Sequence, residues 1–280
     1  MNSVSMRAKI RFAVFAAAMF LSASAFAGEG VLRIYVTRHA QRGPRRQWPE
    51  ADREAIMPGE MINGVLHRPA GDSITPLGVR QAKALGECLR RHGFAGAIYA
   101  SPNFRTMQTA VCAAEMLGTN AVVIPEPLLL NGSGRLTPGS SPKFDELAKR
   151  FPGRVVEGDP LPLSRRLGDW VLPLPGMDDF FEAFIAAHPQ GEFLLVGHSS
   201  TLPKLLAAIE EHVKDDSLKL ARSVANCCLF VYDFDKDGVV VDSDILNDEF
   251  LTPEMLTSNF GPGKTPPRRK EKAAAAASEK

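Results

Sequence analysis

The chain of 280 residues has no excess of charge of either sign, since 33 lysines and arginines stand against 32 aspartates and glutamates. Nucleic acids and anionic membrane surfaces usually select a protein with a basic face or stripe, so neither partner is predicted. Any affinity for anions must therefore be local. Hydrophobic residues make up 45% of the chain, which is enough to bury the core of a globular protein.

Cysteine is scarce as well. The four cysteines, Cys88, Cys112, Cys227 and Cys228, show neither the dense spacing of a disulfide scaffold nor the C-x-x-C pairs of a zinc site. We expect them to pack in the core, and a bridge between Cys88 and Cys112 stays open. The sequence predicts no metal.

Long apolar runs are missing after the first residues of the chain. Arg7, Lys9 and Arg11 precede a short apolar run at 12–20, and Ala-Phe-Ala follows at 25–27. This pattern predicts a secretory signal peptide over residues 1–27. The alternative is an uncleaved anchor, but the run is short for a bilayer span. We expect a periplasmic or secreted protein that keeps no stable membrane anchor after cleavage.

The rest of the chain reads as one domain followed by a tail. Over residues 28–260, strand-like and helix-like runs alternate, which indicates an α/β sandwich. The stretch 132–189 is rich in proline, glycine and charge, and we predict that it is an inserted cap. Residues 261–280 change to Gly, Pro, Lys, Arg and Ala and are predicted to be disordered.

Three predicted strands end in residues suited to binding phosphate. In open α/β sheets, ligands lie beyond the carboxyl ends of the strands, where helix N-termini also converge. Guanidinium groups pair with phosphate oxygens in a bidentate way, and a neutral imidazole can act as a nucleophile on phosphorus. The first strand end carries Arg38, His39 and Arg42, the second Ser101 and Arg105, and the third His198.

Five motifs in this order resemble the histidine phosphatase superfamily, which includes phosphoglycerate mutases. They are TRHAQR at 37–42, ITPLG at 74–78, YASP with RTMQTA at 99–110, EPLL at 126–129 and LVGHSS at 195–200. Within the superfamily they look most like the suppressor-of-T-cell-signalling phosphatase domains, over residues 31–241. The resemblance implies a three-layer αβα sandwich with a mostly parallel sheet.

Carried over residue by residue, the resemblance implies a phosphomonoester hydrolase. His39 would be the nucleophile and would form a phosphohistidine. Arg38, Arg42, Arg105 and His198 would form the phosphate pocket, with His198 also catalytic. The substrate would be a small-molecule or protein phosphomonoester, with no metal or organic cofactor. The motifs do not specify an oligomeric state.

Two positions depart from the family pattern. Ala40 replaces a glycine, which adds one methyl group beside the nucleophile. Asn131 stands where many relatives carry the glutamate that protonates the leaving group, and an amide cannot donate that proton in the same way. Three explanations stay open. Another acid, such as Glu126, Asp72 or Glu157, replaces it; the substrate has a good leaving group; or the protein binds phosphate with weak or no turnover.

Two competing motifs have simpler explanations. The sequence GHSST at 197–201 resembles the nucleophile elbow of an α/β-hydrolase esterase with Ser199 as nucleophile, but that motif normally closes with glycine. The sequence DFDKDG at 233–238 fits the spacing of a calcium loop, yet its flanks look like strands. A hairpin turn is the favoured interpretation.

Overall fold

The computed structural model describes residues 31–42, 60–62, 65–67, 73–118, 120–130, 144–158, 176–220 and 225–257. The predicted signal peptide at 1–27 and the predicted tail at 261–280 lie outside these residues, so both stay predictions. Within the described residues, no helix is long and apolar enough to cross a membrane.

A central sheet of six strands organises the domain, in the spatial order β5-β4-β6-β1-β7-β8. The first four of these strands pair in parallel, whereas β7 pairs antiparallel to β1 and β8 antiparallel to β7. The mostly parallel sheet expected from the sequence is confirmed. Its strands are β1 (Leu32–Arg38), β4 (Ala97–Ala100), β5 (Val123–Pro125), β6 (Gly191–Gly197), β7 (Leu229–Phe234) and β8 (Val240–Ile245), while β2 (Glu60–Ile62) and β3 (Val65–His67) form a separate hairpin.

Helices cover both faces of the sheet, which confirms the three-layer sandwich. Side chains alternate along β1, with Ile34 and Val36 in the core on one face and Tyr35 in the core on the other. Helices α1 and α2 pack on the Tyr35 face, and α4 and α5 pack on the opposite face. The helices are α1 (Pro76–Arg91), α2 (Phe104–Leu117), α3 (Phe144–Arg150), α4 (Met177–Ala187) and α5 (Leu202–Glu210).

Helix α1 begins and ends where its sequence predicts. The Thr75 hydroxyl accepts a hydrogen bond from the Gly78 amide at 3.0 Å, and Pro76 occupies the first turn. After the helix, Gly93 has a φ of +74°, a left-handed conformation that favours glycine. The helix therefore runs from the edge of the predicted site, beside residue 75, to the far end of the sheet.

Strands β7 and β8 are joined by a hairpin turn in which a carboxylate accepts hydrogen bonds from the backbone of the turn. Asp235 Oδ1 accepts from the amides of Asp237 and Val239, both at 2.9 Å, and Lys236 pairs with Asp237 at 3.0 Å. Gly238 adopts a φ of +72°. These contacts favour the hairpin over the calcium loop.

Part of the predicted cap packs into the body of the sandwich. Val155 makes a parallel bridge with Val123 at the edge of the sheet, and Phe180, Phe181 and Phe184 of α4 are fully buried in the core. Residues 159–175 lie outside the described residues. A cap function for 132–189 stays a prediction.

Candidate active site

The register of the parallel strands brings three chain segments together. Arg38 pairs with Gly197 across β1 and β6, so His39 and His198 are the next residues on adjacent strands. Ala100 pairs with Val196 across β4 and β6, and the Ser101 amide donates to the Val196 carbonyl at 3.1 Å. The site residues predicted at three strand ends therefore share one edge of the sheet.

His39 is held by hydrogen bonds on both its backbone and its ring. Its amide donates to the Gly197 carbonyl at 3.0 Å, and its ring Nδ1 lies 2.7 Å from the Ala40 carbonyl oxygen. A carbonyl can only accept, so Nδ1 carries the proton and Nε2 carries the lone pair. Only 4% of His39 is exposed. The ring therefore presents a nucleophilic nitrogen in a fixed orientation.

His198 faces His39 and is held by α2 and the residues before it. The two imidazole centroids are 5.5 Å apart. The Arg105 guanidinium donates to His198 Nδ1 at 3.2 Å, so the neutral ring carries its proton on Nε2 and donates it to Ser101 Oγ at 2.7 Å. The Asn103 amide nitrogen lies 3.3 Å from the same Nε2, but it cannot donate to a ring nitrogen that carries a proton.

Like charges crowd this edge of the sheet. Burial lowers the pKa of Arg38 to about 10, and the nearby positive charges of Arg42 and Arg105 act in the same direction. Arg38 is 2% exposed, and Arg42 is held at the site by a backbone bridge to Ile74. Such a concentration of positive charge in a low-dielectric setting attracts a dianion such as a phosphoryl group.

Both histidines are kept neutral by the same surroundings. Burial lowers the pKa of His39 well below its ordinary value, with further contributions from Arg38, Arg105 and His198. The pKa of His198 is lowered to about 3, mainly by burial and further by the positive charges of Arg105, Arg38 and Arg42. Strongly perturbed groups that share a polar cluster are typical of functional sites. A neutral His39 is the form that can attack phosphorus.

Residues to which the sequence motifs assign no role hold the backbone of the His39 loop. Thr109 Oγ1 accepts from the Ala40 amide at 2.9 Å and donates to the Arg105 carbonyl at 2.7 Å, which ties the loop to α2. On the other side, Asn226 Nδ2 donates to the His39 carbonyl at 2.9 Å. These contacts fix the loop from two directions.

The Gln41 end of the loop rests on α1 and the C-terminal segment. The Gln81 side chain accepts from the Gln41 amide at 2.7 Å and donates to Thr257 Oγ1 at 2.9 Å. Thr257 Oγ1 in turn lies 3.2 Å from Asn226 Oδ1. A side chain at Gly78 would collide with the Gln41 carbonyl, so glycine is needed for this close approach.

Cys227 has an unusual backbone conformation beside the site. Its φ of 56° makes it the one non-glycine residue with positive φ among the described residues, and its amide donates to the Arg38 carbonyl at 3.1 Å. Residues held in this region are strained and occur often at functional sites. No sequence signal predicts this geometry for a cysteine. The four cysteines form no disulfide bond in the structure, so Cys88 and Cys112 are not bridged there.

The departures from the family pattern have different outcomes. Ala40 is fully buried among core residues and does not have positive φ, so the position tolerates the extra methyl group.

The candidates for the general acid differ in what the structure describes of them. Glu126 is 2% exposed, and its Oε1 accepts from the Leu128 amide at 2.8 Å at the start of a 3-10 helix. Its role as general acid stays a prediction. Asn131 and Asp72 lie outside the described residues, and Glu157 is exposed.

Ser199 does not have the geometry of a nucleophile elbow. In that motif the serine sits on a strained turn directly between strand and helix. Here Ser199 does not have positive φ, and α5 begins only at Leu202. The histidine that follows β6 instead contacts Arg105 and Ser101. The structure therefore favours the phosphate pocket over the esterase interpretation.

Part of the chain matches a known family model. Residues 34–131 match the sequence model of the histidine phosphatase superfamily, branch 1. No curated protein matches the chain in sequence. The fold is similar to the ecdysone phosphate phosphatase from Bombix mori, solved with tungstate (TM-score 0.51, 19% identity, 83% of this chain and 96% of that chain). A phosphoglycerate mutase from Bacillus anthracis str. Sterne also matches (TM-score 0.41, 16% identity, 76% and 92%).

Proposed function

We propose that this chain, whose residues 34–131 match the sequence model of the histidine phosphatase superfamily, hydrolyses phosphomonoesters through a phosphohistidine on His39. One observation carries the proposal. The ring of His39 donates from Nδ1 to the Ala40 carbonyl at 2.7 Å and faces His198 and a cluster of arginines. These contacts support a nucleophile held in one orientation at an edge of the sheet, beside the positive charge that phosphoryl transfer requires.

The first step transfers the phosphoryl group to the protein. His39 Nε2 attacks phosphorus, the N–P bond forms, and the bond from phosphorus to the ester oxygen breaks. Arg38, Arg42 and Arg105 neutralise the charge on the phosphoryl oxygens, and His198 lies within reach of the same group. The leaving oxygen takes a proton from an acid, for which Glu126 is the candidate among the described residues.

The second step returns the enzyme to its starting state. Water attacks phosphorus and gives a proton to the carboxylate that protonated the leaving oxygen, the N–P bond breaks, and inorganic phosphate leaves while Nε2 recovers its lone pair. The hydrogen bond from Nδ1 to Ala40 holds the ring in one orientation through both steps. Residues of this chain supply the catalysis by positioning the reacting groups and by neutralising charge.

The location and the substrate form part of the same proposal. The N-terminal pattern at 1–27 supports export to the periplasm or out of the cell. The pocket selects a phosphoryl group, which fits a small-molecule or protein phosphomonoester. The alcohol would be recognised by residues outside the phosphate pocket.

Two substrates separate turnover from simple phosphate binding. Purified protein incubated with para-nitrophenyl phosphate and with an alkyl phosphate is expected to release phosphate from at least the activated ester. Release from both esters would show that an acid protonates the poor leaving group. Release from the activated ester alone would show that Asn131 has no functional replacement. Release from neither would overturn the enzyme proposal in favour of a phosphate-binding protein.

The matched variants are His39→Ala and Ser199→Ala. We expect His39→Ala to lower kcat by at least roughly a thousandfold, as expected when a covalent nucleophile is removed. Ser199→Ala should stay close to the wild-type rate. The reverse pattern would assign the reaction to an esterase-type serine.

A further inference from the structure

A second group of reactive side chains lies at the other end of α1. Cys88 and His92 are four positions apart at the C-terminal end of this helix and its cap, so they lie on the same face. The helix has sixteen residues and is therefore about 24 Å long, which separates these side chains from the Gln41 loop. Glu249, from the 3-10 helix Asn247–Glu249 after β8, completes the group.

The three side chains direct their donor atoms at one point. The Cys88 thiol, a His92 ring nitrogen and a Glu249 carboxylate oxygen all lie within 4.8 Å of one another. His92 Nε2 is 2.7 Å from Glu249 Oε2, and Cys88 Sγ is 4.0 Å from the same oxygen. Bonds of roughly 2.0–2.3 Å to a tetrahedral zinc ion would place such atoms roughly 3.3–3.8 Å apart. Side-chain shifts of about an ångström would bring the three atoms to the separations that a tetrahedral ion requires.

The burial of the group also suits a metal ion. Cys88 is fully buried, whereas the His92 and Glu249 side chains are 33% and 28% exposed. His92 also lines an open cleft with Tyr35 and Leu246. One side of the group is therefore sealed by the core and the other is accessible to ions and water. Sulfur, nitrogen and oxygen ligands together fit a borderline-soft divalent ion.

Another histidine provides an internal comparison. His212 Nε2 pairs with Glu182 Oε1 at 3.0 Å, which is the same histidine–glutamate contact in a different place. Within the described residues, however, the only group of three such ligand atoms is Cys88, His92 and Glu249. A histidine–glutamate pair alone is a common surface contact. The thiol is what distinguishes the α1 group.

We propose that Cys88, His92 and Glu249 bind a divalent metal ion of the zinc class, with the fourth position open to water. Binding removes the proton from the Cys88 thiol, since the thiolate is the ligand, and that proton passes to solvent. The ion joins the end of α1 to the segment that follows β8. Phe250 and Leu251 of that segment pack in the core, so the ion fastens the C-terminal part of the domain to the helix.

Cobalt provides a direct test on the whole protein. Co²⁺ titrated into metal-free protein should bind with one equivalent and produce the ultraviolet charge-transfer absorption of a cobalt–thiolate bond. Zn²⁺ should displace it and raise Tm, because an ion that binds only the folded state stabilises it. Glu249→Gln and His92→Gln should weaken binding by at least roughly tenfold, since even changes to residues that hydrogen-bond the metal ligands cost that much. Cys88→Ser should abolish the charge-transfer band.

Three variants should bind like the wild type. His212→Gln removes the comparison histidine, Cys112→Ser removes a half-buried thiol, and His39→Ala removes the proposed nucleophile. Because Cys88 is buried, circular dichroism accompanies each titration to establish that the variant is folded, and the partly exposed Glu249 provides an independent variant. Folded wild-type protein without the thiolate band, or with binding unchanged by Glu249→Gln and His92→Gln, would overturn the metal site.

Discussion

Two arginines of the same strand have opposite surroundings. Arg33, near the start of β1, donates from Nε and from an Nη nitrogen to the two carboxylate oxygens of Asp233, both at 2.6 Å. The contact with Asp233 raises the pKa of Arg33. Arg38, at the other end of β1, has its pKa lowered to about 10 by burial, with Arg42 and Arg105 adding to the effect.

The difference separates a structural charge from a binding charge. The charge of Arg33 is balanced by a carboxylate on the neighbouring strand, which leaves little attraction for an external anion. At the Arg38 end, several positive charges and two neutral histidines share one edge of the sheet. Holding like charges together disfavours folding, and an incoming dianion relieves that repulsion. The arrangement is therefore one that a bound phosphoryl group stabilises.

Matched substitutions at the two ends test this contrast most strongly. Arg105→Ala removes a charge from the proposed phosphate pocket and the hydrogen bond to His198 Nδ1. We expect kcat/KM for para-nitrophenyl phosphate to fall by roughly 100- to 1000-fold, the range for a lost transition-state charge partner. Arg33→Ala should leave kcat/KM nearly unchanged. It should lower the free energy of unfolding by about 1 kcal/mol or less, because the Arg33–Asp233 pair is partly exposed.

Equal losses of activity in the two variants would contradict the contrast. The measurement needs steady-state kinetics and urea unfolding on the same preparations, so that a folding defect in either variant is recognised.

Introducing a carboxylate at the pocket should make it resemble the Arg33 end. Ser101 is fully buried, and its hydroxyl lies 2.7 Å from His198 Nε2. In Ser101→Asp, the new charge would raise the pKa of His198 and compete with phosphate for the arginines. We expect inorganic phosphate or vanadate to bind at least roughly tenfold more weakly, as measured by calorimetry.

Ser101→Asn is the control for size, since it has the shape of aspartate without the charge. Phosphate affinity that falls equally in both variants would mean that packing, and not charge, governs the pocket.

The lowered pKa values of the two histidines also make the stability of the fold depend on pH. Both have a pKa in the folded protein below the ordinary value of 6.5, His198 at about 3, so the unfolded chain binds more protons in this range. Stability should therefore fall as pH decreases from about 6.5 towards 3, by up to about 1.4 kcal/mol per pH unit for each histidine. His198→Gln should reduce the slope, and saturating phosphate should reduce it further. A slope unchanged in His198→Gln would contradict this assignment.

Local signals in the sequence predicted much of the fold. Thr75, Pro76 and Gly93 are local signals for the two ends of α1, because caps and turn residues act over only a few positions. The strand ends carrying His39 and His198 were also identified, since parallel strands direct their carboxyl ends to one edge. The residues proposed for the phosphate pocket can be grouped from the sequence because charged residues follow short apolar strands; their roles stay predictions.

Contacts between distant parts of the chain were not predictable in this way. Asn226 bonds to the His39 carbonyl from 187 positions along the chain, and Arg33 bonds to Asp233 from 200 positions away. Glu249 approaches His92 across 157 positions. No periodicity or short motif encodes such pairs, because they depend on how β7, β8 and the C-terminal segment pack. They were visible only in three dimensions.

The most direct test of the account is to trap the covalent intermediate. Wild-type protein mixed with a ³²P-labelled phosphomonoester and quenched in base within milliseconds should carry acid-labile, base-stable phosphate. Mass spectrometry should place it on the peptide that contains His39, and His39→Ala should carry none. Phosphate on Ser199, or sustained turnover without any covalent label, would contradict the central claim that His39 is the nucleophile.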